Sequence, residues 1–121
     1  MTIAASLTAE DIKKELRRLA ALHPDAVYSN DDGQCYYTRG TAGGGYGCIF
    51  GQAIINLVGD SAKGQLIAMD GVLSVPRAGG MLYRLGVSLN NEDVGLFSEL
   101  QWLQDHNVPW GEAVRRTIGE A

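Results

Sequence analysis

Two thiols and two imidazoles, Cys35, Cys48, His23 and His106, are the side chains of this 121-residue sequence best suited to bind a transition metal or attack an electrophile. Together they have the composition of a four-ligand zinc site. Their spacing argues against one. Structural zinc sites draw ligands in close pairs such as C-x-x-C, whereas these four stand alone and twelve residues separate the cysteines. No metal and no cofactor is expected, and the thiols read as small buried hydrophobes. Two cysteines are also too few for a disulfide scaffold, and the sequence leaves open whether Cys35 and Cys48 are bridged.

Cys48 carries a second reading. It follows a glycine-rich loop at the expected start of a helix, where partial positive charge lowers a thiol's pKa and favours the nucleophilic thiolate. A nucleophile also needs a base, and nothing in the spacing places His23 or His106 beside it. Cys48, Gln52 and Asn56 are spaced by four on an otherwise apolar helix, which equally describes a structural seam packed on neighbouring backbone. A thiol-dependent enzyme or covalent carrier is therefore an alternative, and the leaning is towards no enzyme.

The loop Gly43-Gly44-Gly45-Tyr46-Gly47 resembles a phosphate cradle only in composition. No G-K-[ST] follows it, so there is neither a lysine for phosphates nor a hydroxyl for magnesium. It reads as a mobile or specially shaped connector. Lys13, Lys14, Arg17 and Arg18 place four of ten basic residues within six positions, the single local candidate for a nucleic-acid footprint. Glu10, Asp11 and Glu15 share that helix, and Glu10 and Lys14 form an i to i+4 pair, so a solvated charged face explains the cluster. With a net charge of −4, nucleic acid is not the favoured partner, and binding through the first helix is a further alternative.

Tyr28, Tyr36, Tyr37 and Tyr46 cluster around the glycine loop, and tyrosine suits surfaces where one end of a ring is buried and the other wet. Tyr36, Tyr37 and Tyr46 are the candidate binding residues.

The elements that must position these groups are mostly helical. Thr8 and Asp11 form a capping box with Leu7 and Ile12 as a staple, and Ile12, Leu16, Leu19 and Ala20 make an apolar stripe that ends before Pro24. Ala26 to Tyr28 and Cys35 to Thr38 flank a polar turn containing Asp32-Gly33 and read as a short hairpin. Cys48 to Val58 is apolar nearly all round, as a buried central helix would be, and Gly59 ends it. A helix over Ala62 to Met69 is expected to be capped by Asp60 or Ser61, and another to run from Ser74 to Leu85. Asn90 or Asn91 caps the next, with Val94, Phe97, Leu100 and Leu103 inward, and Pro109 opens a last one carrying Trp110, Ala113, Val114 and Ile118.

The fold class is thus mainly α (α+β): one domain over residues 1–121, a compact bundle of five or six helices with one short β-hairpin. Its 45% apolar and 20% charged composition is that of an ordinary globular domain. No apolar run reaches the roughly 18 residues of a membrane span, and the opening MTIAASLTAEDIKK lacks the features of a signal peptide, so a cytoplasmic location is expected.

The order CYYT, a glycine loop, GCIFGQAIINLVG and LQWLQDHNVPWGEAV is similar to small uncharacterised proteins of actinobacteria and their phages. The likeness spans about Leu19 to Val114. It rests on the cysteine pair, the G-C-[IL]-[FV]-G segment at Gly47 to Gly51, and Gln101, Gln104, Asp105, Trp110 and Gly111. It implies a setting, a phage or prophage accessory gene, and no mechanism. The function expected is protein–protein binding in the host cytosol, with a host protein or a second copy of the chain, as in a homodimer, for partner.

Overall fold

A computed structural model describes residues 6–30, 34–72 and 75–119. Six helices follow in order: α1 Ala9–Leu22, α2 Ile49–Val58, α3 Asp60–Asp70, α4 Ala78–Arg84, α5 Asn91–Asp105 and α6 Trp110–Thr117. Between α1 and α2 lies a two-stranded antiparallel hairpin, β1 Thr41–Ala42 and β2 Gly45–Tyr46. The expected helical bundle with one short hairpin is what forms.

α1 begins as its sequence dictates. The Thr8 hydroxyl accepts from the Asp11 amide at 3.1 Å while the Asp11 carboxylate accepts from the Thr8 amide at 3.0 Å, and the helix buries Ile12, Leu16, Leu19 and Ala20. α2 is the central helix, with Ile49, Phe50, Ala53 and Ile54 wholly enclosed between α1, α3 and α5. All six helices contribute to one cluster of buried side chains. Phe50 and Phe97 meet edge to face with ring centroids 5.5 Å apart, joining α2 to α5.

The hairpin is not where alternation suggested. Residues 26–28 and 35–38 do not pair with each other as strands, and Asp32-Gly33 lies outside the described residues. The Tyr28 hydroxyl intervenes: it accepts from the Tyr36 amide at 3.0 Å and donates to the Arg39 carbonyl at 2.8 Å. Ser29 pairs instead with Thr41. The true hairpin sits inside the glycine-rich loop, where Ala42 pairs with Gly45 across the two-residue turn Gly43-Gly44. Both turn residues have positive φ, 58° and 79°, the requirement of a type I′ turn that glycine meets without strain.

Three further expectations are corrected. Gly59, with no side-chain cap, precedes α3 in place of Asp60 or Ser61. α4 starts at Ala78, later than expected, because the Gln101 side chain accepts its first amide at 2.8 Å; Ser74 lies outside the described residues. Val94 is 40% exposed, and the inward face of α5 is completed by Gln101 and Gln104.

Candidate functional site

The segment from Tyr36 to Thr38 has no regular secondary structure, so its backbone polar groups must find partners elsewhere. Asp70, 2% exposed at the end of α3, supplies two of them: its carboxylate accepts from the Tyr37 amide, the Thr38 amide and the Thr38 hydroxyl at 2.8, 2.8 and 2.6 Å. The Cys48 amide donates to the Tyr36 carbonyl at 3.0 Å. The Tyr37 hydroxyl donates to the Pro76 carbonyl at 2.5 Å and accepts from the Gln101 amide at 3.2 Å. Gln104, wholly buried, accepts the first amide of α2, that of Ile49, at 2.8 Å.

This network decides what several sequence candidates can do. Tyr37 is 1% exposed and its hydroxyl is pushed well up by burial, so it is a post of the core and not a contact residue, correcting its place among the binding tyrosines. Tyr36 is half-buried with the Arg39 guanidinium 4.9 Å above its ring. Tyr46 alone of the three stands free, 76% exposed on β2.

Cys48 does sit at the start of α2, as its N-cap, yet it is 1% exposed. Burial pushes its thiol up to about 12, overriding the helix terminus, and the nearby carboxylates of Asp105 and Asp70 push the same way. Cys48 is thus buried as the small hydrophobe of the first reading, and its burial opposes the alternative of an activated thiolate. The seam reading describes α2 better: Gln52 donates to the Ala42 and Gly47 carbonyls at 2.9 and 3.0 Å, fastening the hairpin, and Asn56 donates to Glu15 of α1 at 2.8 Å.

The thiols and imidazoles do not converge. Among the described residues no group of three or more His, Cys, Asp and Glu is placed to hold a metal ion. His23 lies edge-on to Trp110, while His106 stacks on Trp102 at 3.9 Å. Neither cysteine is in a disulfide, and half-buried Cys35 hydrogen-bonds the Asp105 carboxylate, whose pKa burial raises.

The basic cluster of α1 is also spoken for. Lys13 pairs with Asp93 of α5 at 2.7 Å, Arg17 donates to the Ile118 and Gly119 carbonyls at 2.8 and 3.1 Å, and Arg18 donates through Nε and Nη2 to the two carboxylate oxygens of Glu15. Three of its four cations hold α5, the end of α6 and the Glu15 link in place, which leaves little charge for a phosphate backbone.

Among the surface clefts of the described residues, one of about 320 Å³ lies beside the hairpin and includes the exposed Tyr46. It is lined by Thr38, by Gly45 and Tyr46 of β2, by Gln52, Ile55 and Asn56 of α2, and by Lys63 of α3. Gln52 spends both of its N–H groups on the hairpin and keeps its carbonyl oxygen as an acceptor, while Asn56 spends one N–H on Glu15. The cleft therefore combines an exposed aromatic ring, an aliphatic patch, amide acceptors and an ammonium group. Tyr46 was legible in the sequence as a surface aromatic; Lys63 carried no signal, since only the packing of α3 on α2 brings it there.

No protein-family model, curated protein or solved structure matches this chain.

Proposed function

We propose that this chain is a non-enzymatic protein-binding domain that engages its partner through Tyr46 and the adjoining cleft. In the setting implied by its likeness to phage and actinobacterial proteins, the partner is a host protein in the cytosol. One observation carries this reading: Tyr46 is 76% exposed on a hairpin fastened to α2, whereas Cys48, Tyr37, Asp70, Gln101 and Gln104 are buried and engaged within the fold. A large, rigid ring beside a concave polar surface is the usual form of a binding hot spot. Its volume, at the low end of ligand pockets, suits one or two side chains of a partner better than a cofactor.

The test is site-specific photocrosslinking in lysate of the host cell. A benzophenone amino acid at Tyr46 is expected to yield a discrete protein adduct, and the same group at Lys14, exposed on α1, to yield none. Absence of an adduct at Tyr46, or the same adduct from both positions, would overturn the assignment.

A further inference from the structure

The register of the hairpin turns one polar edge outward. Across a two-residue turn, Ala42 and Gly45 form the hydrogen-bonded pair, so the next pair, Thr41 and Tyr46, points its amides and carbonyls away from each other. On the β1 side those groups are used: Thr41 exchanges both backbone bonds with Ser29, at 2.8 and 2.9 Å. On the β2 side, the amide and carbonyl of Tyr46 have no hydrogen-bond partner among the described residues. The cleft is lined by Thr38 and by residues of β2, α2 and α3, and by no residue of β1, which places it on the β2 side of the hairpin. Lys63 makes no ion pair among the described residues, so it brings an unpaired positive charge to the cleft that Tyr46 also lines.

We infer that the cleft accepts an extended segment of a partner protein, which adds as a strand to the Tyr46 edge of β2 and carries an apolar and an acidic side chain two residues apart. This deepens the protein-binding reading above and rests on it. The added strand satisfies the Tyr46 amide and carbonyl with its own backbone, extending the Ser29–β1–β2 ladder by one member. Side chains two residues apart share one face of that strand, about 7 Å from each other. The apolar one covers Ile55, and the acidic one meets the Lys63 ammonium. A strand of this kind supplies backbone bonds for affinity and two side chains for selection, which matches the small volume of the cleft.

The probe is a library of acetylated, amidated heptapeptides with an apolar and an acidic residue two apart, and a matched set with lysine in the acidic position. Each is titrated into isotope-labelled full-length protein and followed by amide NMR. Members of the acidic set are expected to bind, to shift the Tyr46 amide and to slow its hydrogen exchange at least tenfold. N-methylation scanned along the best peptide is expected to weaken binding at least tenfold at alternate positions only, the signature of a paired strand. Lys63→Glu, an exposed change that leaves the fold intact, is expected to reverse the preference to the lysine set.

If no member binds while the Tyr46 crosslink to a host protein persists, strand addition is overturned and the protein-binding reading survives. Uniform tolerance of N-methylation has the same meaning. Loss of both the crosslink and peptide binding overturns the two together. Protection of the Tyr46 amide that rises with protein concentration, without peptide, would show a second copy on the edge and overturn the partner segment.

Discussion

Gly51, in the first turn of α2, lies against the carbonyl of Tyr37: a Cβ there would stand 1.8 Å from that oxygen. Gly47 faces the same atom, and a Cβ on it would come within 1.9 Å. The start of α2 thus reaches the 36–38 segment through two glycines that bracket one carbonyl, which lets the Cys48 amide bond the Tyr36 carbonyl. Glycine to alanine inside a helix ordinarily stabilises by about 1 kcal/mol. Gly51→Ala is expected to do the reverse, by about 3 kcal/mol, because the obstacle is backbone and cannot swing aside. Gly64, where a Cβ meets nothing within 4 Å, is the control and should show the ordinary gain. Urea unfolding of both variants checks the sign.

Asp70 ties the end of α3 to two amides and a hydroxyl of the 37–38 backbone. Asp70→Asn replaces one acceptor oxygen with a donor aimed at donors, and is expected to cost about 2–3 kcal/mol. Thr38→Val removes only the hydroxyl bond and should cost about 1 kcal/mol. A ratio near one in the measured unfolding free energies would contradict the carboxylate's role as the hub.

Glu15 and Asp105 give opposite pH dependences. The Arg18 guanidinium, with help from the Asn56 amide, holds the Glu15 carboxyl below the usual range against the opposing effect of burial. Its contribution is complete above the unfolded pKa of about 4.3 and is lost as pH falls through the folded value. Glu15→Gln should therefore lose about 1 kcal/mol at pH 7, a difference that closes as pH falls through the folded value. Asp105 is raised by burial, so its ionisation costs stability as pH rises above its unfolded pKa. Asp105→Asn should gain on the unaltered protein over that rise. Thermal melts between pH 3 and 8 distinguish the two slopes.

Cys48 should resist alkylation. Burial pushes its thiol up to about 12 and leaves the residue 1% exposed, so it is neither ionised near neutral pH nor open to reagent. Iodoacetamide is expected to add once to the native protein, at half-buried Cys35, and twice after denaturation, as read by intact mass. Rapid native modification of Cys48 would restore the thiol-enzyme reading.

Heparin retention tests the charge assignment of α1. With Lys13, Arg17 and Arg18 committed to Asp93, the end of α6 and Glu15, the protein should elute below about 0.1 M salt, where a genuine phosphate footprint would hold on.

Local signals decided the helices. The Thr8 and Asp11 box, the apolar run of α2, the Asn90 cap and Pro109 act within a few residues of the backbone they control, so their outcome was legible along the chain. The two-glycine turn of the hairpin was equally local, but lay in a stretch whose glycine content suggested no regular structure at all. Tyr46 was readable as a surface aromatic for the same reason: a ring flanked by glycines on a short turn has little to pack against.

Tertiary structure decided the rest, because it depends on groups far apart in sequence. The Asp70 bonds to Tyr37 and Thr38, the Gln104 bond to Ile49 and the Gln101 bond to Ala78 join residues 23 to 55 positions apart, and no spacing rule announces them. They turned Tyr37 from a surface aromatic into a core post and enclosed Cys48, where desolvation outweighs the helix terminus. The same packing laid α3 on α2 and so brought Lys63 to the cleft that Tyr46 lines. Sequence determined which segments become helices; the fold alone determined which rings stay outside, which polar groups are consumed within it and which edge is left to bind.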